Sequence, residues 1–422
     1  MILYILILVI ELYFTYKVIK YFLLSPVYIY INFSIISIIL SLWYFYYFDN
    51  KFSLFNLDKV TEIVFINTIK MYLLALNSFL FGVLLFYELS AKRIKIRFNK
   101  AYSNSLFVKY KVLDVVSKIV PFVFLLILIL YFITYGKGLF IRSTYLPETN
   151  RFLTIFLKVL VFVEIILLGI IYSNKKKLST ILFLLTIFLS ITTGSRTVFL
   201  FFIFYICLVF ISSGNNLFNK LRFILHLFIS FVFLTYIMQL RSLSSHGLIP
   251  YIKSIGSSDN DFLRSFVFNL YYSFIYGVYV TIGTLEKAKL DWNIIFISIN
   301  PLPGSMVGWY DYANNMRLNL FAPFSLHGRV FKTGYLFTII YFLITGLIFT
   351  YFENIIRKLL SNNKRTFAFL IIILLSLHIF YAFEYNMRAA IRYFYYVLFI
   401  LFIAYILRQV KKNLPKIKTN EK

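Results

Sequence analysis

A chain of 422 residues that is 61% hydrophobic, 21% aromatic and only 14% charged is not an ordinary soluble enzyme, since such domains carry about 25% charged residues. The excess of 43 basic over 16 acidic residues, a formal charge of +27, would suggest a nucleic-acid partner in a soluble protein. In so apolar a chain it points to membrane topology instead. The single cysteine, Cys207, lies in an apolar run and leaves no disulfide or cysteine-based metal site to build.

Apolar runs recur at roughly the 20-residue length that carries a helix across about 30 Å of hydrocarbon. The expected fold is therefore all-α: a polytopic integral membrane protein, one domain over 1–422, rather than a β-barrel. Spans are expected at 2–16, 27–48, 64–88, 119–135, 152–172, 179–193, 198–212, 223–240, 334–352, 367–383 and 393–408. The first has no basic leader or small-residue cleavage site, so it reads as a retained helix and not a cleaved signal. If these eleven spans alternate, the basic connectors Lys92–Lys118, Lys175–Lys177, Lys220–Arg222 and Arg357–Arg365 share one side with the basic tail 409–422. That side is the cytoplasm by the positive-inside rule, and the N-terminus is then external. Lysine follows this rule and arginine does not. Nine of the fifteen arginines (142, 151, 196, 241, 264, 317, 329, 388 and 392) fall on the outer side or at its boundary.

The longest connector, Arg241–Lys332, spans 92 residues on the outer face, well beyond ordinary loop length, which marks it as functional. Phe262–Leu285 within it is rich in aromatics, and Trp292–Trp309 is apolar but interrupted by Pro301, Pro303 and Gly304. These stretches read either as helices lying in the interface or as a pair of crossing or re-entrant segments; the fold as a whole is expected to hold about 11–12 transmembrane helices. Both readings keep the two ends of the loop outside. A single crossing would invert everything upstream and place Arg196 in the cytoplasm.

Three constellations carry chemistry. Thr193, Gly194, Ser195, Arg196 and Thr197 form a hairpin tip between two short spans, where backbone N–H groups and a planar guanidinium suit a phosphate. Snorkelling of Arg196 to lipid phosphates is the plainer alternative. The end of the long loop holds Arg317, His327 and Arg329, a base beside cations that suit a leaving anion. Between the last two spans, Arg388 and Arg392 share a helical face, or Arg388 pairs with Glu384, four residues earlier. Arg241 and Arg264 add external cations. Asp259 and Asp261 resemble a metal-binding carboxylate pair, but Ser258 and Asp259 just before an apolar helix also make ordinary N-caps. Asp311 is a second carboxylate able to accept a proton. Glu164 is deep in a span, either functional or neutral and paired with a hydroxyl. His226 and His378 read as helix-packing residues. Walker loop, dinucleotide glycines, zinc spacing and Gly-x-Ser-x-Gly elbow are all missing.

The many-span layout, the tip at 193–197, the long late external loop and the Phe331-x-x-Gly334 lead into the next span resemble the bacterial O-antigen polymerase (Wzy-type) family of oligosaccharide repeat-unit polymerases. The likeness covers nearly the whole chain in layout and a few residues in motif. It implies a GT-C-like membrane glycosyltransferase of the inner membrane, with a periplasmic active face and no metal or cofactor. It also implies undecaprenyl-diphosphate-linked oligosaccharides as substrates, with membrane lipids and a polysaccharide chain-length regulator as partners and no nucleic acid. In that chemistry a sugar hydroxyl attacks C1 of the growing glycan. His327, Arg196 and Arg329 are then the catalytic candidates, and Arg241, Arg317, Arg388, Arg392 and Ser195 the candidates for gripping diphosphate and glycan. An O-antigen ligase shares this architecture. A lipid-linked oligosaccharide flippase, a transporter, is the rival of a different class and would favour evenly short external loops.

Overall fold

The structure is a computed structural model that describes residues 1–48, 52, 60–100, 111–144, 149–193, 197–213, 217–240, 243–254, 262–313, 315–318, 322–362 and 364–413. In chain order the helices are α1 (Ile2–Val18), α2 (Pro26–Tyr47), α3 (Glu62–Leu89), α4 (Lys92–Phe98), α5 (Lys111–Tyr135), α6 (Arg151–Ile171), α7 (Lys176–Ile191), α8 (Thr197–Ser213) and α9 (Leu217–Gln239). There follow α10 (Leu248–Ser254), α11 (Phe262–Leu270), α12 (Tyr276–Lys287), α13 (Trp292–Ile299), α14 (Trp309–Ala313), α15 (Leu326–Lys332), α16 (Tyr335–Ser361), α17 (Arg365–Glu384) and α18 (Met387–Asn413). A π-helical turn, Tyr271–Ile275, joins α11 to α12. Among the described residues there is no strand beyond isolated bridges.

All eleven expected spans are helical. Nine helices among the described residues have the length and apolarity to cross a membrane, so the chain is a multi-pass membrane protein. Eight of the nine coincide with expected spans, and the ninth, Leu263–Lys287, lies in the long loop. The helices expected at 2–16, 179–193 and 198–212 run 17, 16 and 17 residues, slightly shorter than those nine.

The chain divides into two compact units, one formed by Met1–Ala101 with Leu270–Lys422, the other by Tyr102–Asn269. In the first, α3 and α16 pack so closely that a Cβ on Gly82 would collide with the carbonyl oxygen of Leu343, and one on Gly346 with that of Phe79. Small residues at a crossing let membrane helices approach backbone to backbone, where dispersion replaces the missing hydrophobic drive. One end of this unit is tied by Arg357, whose side chain is fully buried. Its Nε donates to Glu353 at 2.7 Å, and its terminal nitrogens donate to the carbonyls of Phe98 (3.0 Å), Lys100 (3.1 Å) and Lys20 (2.8 Å). Ser25, which also N-caps α2, donates to the other oxygen of Glu353 at 2.9 Å. The basic connectors after α1, around α4 and after α16 therefore gather at one end, as alternation requires.

The opposite end holds the last turn of α2 and the first turns of α3 and α16, and it fixes the helix that sequence left open. Tyr271 lies 4.9 Å from the ring of Tyr44, near the end of α2, and Tyr279 lies 6.3 Å from Phe65, at the start of α3. At the other end of α12, the carbonyl of Leu285 accepts a bond of 2.7 Å from Lys332, just before α16 begins. Residues 271–287 thus begin and finish at the same end of the unit. The stretch 271–287 therefore lies against the end of the bundle that holds Tyr44, Phe65 and Lys332.

In the second unit, α5 to α9 surround a core that includes Val161, Ile165, Leu168, Phe183 and Tyr205. Glu164 is fully buried there, one oxygen accepting from Thr186 at 3.1 Å and the other without a partner among the described residues.

Candidate functional site

The end of the first unit opposite Arg357 collects four of the expected site residues: Arg317, His327, Arg329 and Arg388, with Arg392 one turn further along α18. Ser325 N-caps α15, accepting from the Gly328 N–H at 2.9 Å. A hydroxyl chain locks this cap in place. Tyr72 and Thr281 are 2.8 Å apart, Thr281 and Ser325 2.8 Å apart, and the Ser325 N–H donates to Thr284 at 3.1 Å. Gly328 sits against Thr284 with no room for a side chain.

His327 is 1% exposed. Its Nδ1 donates to the Ala382 carbonyl at 2.8 Å, and its ring lies 5.0 Å from Tyr72, 5.3 Å from Phe342 and 4.4 Å from Phe383. Because the carbonyl can only accept, Nδ1 carries the proton and Nε2 keeps its lone pair inside the aromatic cage. Burial pushes the imidazole down to about 4, with the Ala382 bond working against the shift. The base expected from the sequence is thus neutral at pH 7, but this conformation does not present it to an external hydroxyl. It pins α15 to α17.

Two buried arginines bracket the apolar helix α13. Arg329 donates to the Lys289 carbonyl at 2.9 Å, ahead of the helix, and lies 4.8 Å from the ring of Phe324. Burial lowers its proton affinity, and Asp291, which N-caps α13 by accepting from Asn293 N–H at 2.8 Å, works in the other direction. Arg388, 2% exposed, donates to the carbonyl of Ile297 in the last turn of the helix and to those of Asn300 (3.3 Å) and Leu302 beyond it, above the ring of Trp309 at 5.4 Å. Its Nε is buried without a partner among the described residues. Irregular backbone near hydrocarbon must have its carbonyls satisfied internally, and these guanidinium groups do so.

Arg317 and Arg392 differ: both are exposed. Arg317 forms an isolated antiparallel bridge with Pro323, and the Leu318 N–H donates to the Ala322 carbonyl at 2.8 Å. Asp311, in α14, is exposed as well. Beside Arg392 lies a tyrosine cluster with no periodic signal strong enough to attract notice in the sequence. Tyr381 stacks on Tyr385 at 4.6 Å, Tyr393 meets Tyr381 edge-on at 5.1 Å, and Tyr396 meets Tyr393 at 5.9 Å. By contrast Tyr271, Tyr276 and Tyr279 of the long loop are core residues, packed with Tyr44.

The hairpin tip belongs to the second unit, and Ser195 and Arg196 lie outside the described residues, as do Arg241, Asp259 and Asp261. The residue just before the tip is braced by Arg142, whose Nη1 donates to the carbonyls of Thr192 (2.7 Å) and Gly138 (2.9 Å). No group of three or more potential metal-ligating side chains occurs among the described residues. Comparison with protein-family models, with curated proteins and with solved structures gives no match.

Proposed function

We propose that this protein is a membrane glycosyltransferase of GT-C-like architecture that joins undecaprenyl-diphosphate-linked oligosaccharide repeat units into long polysaccharide on the periplasmic face of the inner membrane. The observation that carries the reading is a pair of exposed arginines, Arg317 and Arg392, at the end of the first unit opposite the basic connectors tied by Arg357, with exposed Tyr385 nearby. Lysine on the cytoplasmic side is ordinary topology; arginine on the far side fits an anionic substrate held there.

In the proposed reaction a hydroxyl of the incoming unit attacks C1 of the growing glycan. The new C1–O bond forms as the bond from C1 to the lipid diphosphate breaks, and the hydroxyl proton passes to a carboxylate, for which exposed Asp311 is placed at the same end. Arg317 and Arg392 stabilise charge on the departing diphosphate. Arg329, Arg388 and His327 act as positioning residues that hold α13 and α15. The stacked tyrosines offer aromatic faces to sugar rings.

The test is the glycan ladder of cells carrying Arg317→Gln or Arg392→Gln. Loss of about a hundredfold in polymerisation is expected for each, leaving single repeat units on the surface. An undiminished ladder from both variants overturns the assignment. Loss of the single-unit product as well would instead indicate a ligase, and failure of purified protein to elongate lipid-linked units in detergent would indicate a flippase.

A further inference from the structure

The second unit contains a groove of about 310 Å³ enclosed by the end of α6 and by α7, α8 and α9. Its walls are almost entirely apolar, with Phe183, Phe202 and Phe223 prominent, and its rim includes Leu184 and Ile229, both at least half exposed where the bilayer would lie. Thr180, Asn219, Arg222 and His226 supply its polar side. Thr180 is one turn beyond Lys176, to whose carbonyl it donates at 3.0 Å, so the polar mouth is level with the basic connectors Lys175–Lys177 and Lys220–Arg222. Arg222 is exposed, rests 5.5 Å from the ring of Phe218, and forms no ion pair among the described residues. His226 holds the Arg222 carbonyl at 2.5 Å through Nδ1, which fixes the local geometry of that turn.

An apolar trough open sideways to hydrocarbon, with a guanidinium and neighbouring lysines at its surface end, has the charge and polarity profile of a phospholipid with a net negative headgroup. We propose that the groove binds one anionic phospholipid of the leaflet that faces the lysine-rich connectors, its phosphate at Arg222 and an acyl chain between α7, α8 and α9. Guanidinium is suited to a phosphate through paired N–H donors, and the positive charge of Arg222 favours a headgroup of net negative charge over a zwitterionic one. This site does not depend on the glycosyltransferase reading, because its occupant is a bulk membrane lipid and its test needs no glycan.

The experiment is native mass spectrometry of the full-length protein in detergent, titrated with phosphatidylglycerol or with phosphatidylcholine of the same chains. One tightly retained phosphatidylglycerol is expected, preferred about tenfold over phosphatidylcholine. Arg222→Gln should reduce that preference to near unity, Ile229→Trp should lower retention of both lipids by filling the trough, and Lys220→Gln should leave the preference in place. Both Arg222 and Ile229 are exposed, so these changes spare the core. Equal retention of the two lipids by the unaltered protein, a preference that survives Arg222→Gln, or a loss in Lys220→Gln as large as that in Arg222→Gln would each overturn the proposal.

Discussion

Arg357 and His327 are both buried, and their chemistry predicts opposite kinds of sensitivity. Arg357 carries a charge that is matched by Glu353 and spread over three carbonyls. Removing one member of a buried pair strands the other, at a cost of about 3–5 kcal/mol. Arg357→Met should therefore lower the melting temperature in detergent sharply, Arg357→Lys should fail to restore it for want of the planar fork, and Glu353→Gln combined with Arg357→Met should recover part of the loss. His327 is buried neutral. Its folded pKa, about 4, lies below the ordinary value of about 6.5, so its contribution is intact above pH 6.5 and is lost as pH falls toward 4. The full swing is about 3 kcal/mol, and His327→Phe, which keeps the ring but cannot be protonated, should flatten that part of the stability profile against pH. If His327→Phe also abolishes polymer while leaving the melting temperature at pH 7 within a few degrees, the imidazole acts as a base after all. Sequence could not separate these roles, since burial of a loop histidine depends on α17 and α3, far away in the chain.

Among the elements, apolar length made the spans legible, and partner geometry decided what length could not. Every expected span is helical because hydrocarbon enforces internal backbone bonding wherever such a run crosses. Leu263–Lys287 satisfies the same test of length and composition, yet Tyr44, Phe65 and Lys332 hold both ends of its described first-unit portion at one end of the bundle. The hydroxyls of Tyr72, Thr281 and Ser325 meet only through tertiary packing, so no local pattern announces them. Gly82 and Gly346 are equally silent, since neither belongs to a motif. Adding a methyl at either crossing pushes two backbones apart, and Gly82→Ala or Gly346→Ala should each cost at least about 1–3 kcal/mol, read as a lower melting temperature. The double variant should lose more than either single change, whereas an unshifted midpoint would mean that α3 and α16 separate freely.

For the whole molecule, alternation of the basic connectors makes a topological prediction. In a Cys207→Ser background, cysteines placed at Lys92 and Asn362 should react with impermeant maleimide from one side of the membrane. Those at Tyr47, Lys287 and Tyr310 should react from the other. Labelling of Lys287→Cys together with Lys92→Cys would mean that the loop helix crosses. The expected sidedness comes from the lysine distribution in the sequence, which says nothing of the division into two units, because one unit is assembled from both ends of the chain. That discontinuity bears on biogenesis. A ribosome delivers Lys20 and Phe98 long before Arg357, the residue that fastens their carbonyls, has been translated. The inserted segment 102–269 can condense by itself in the interval, while the first hundred residues wait, their junction left open until the final third of the polypeptide arrives.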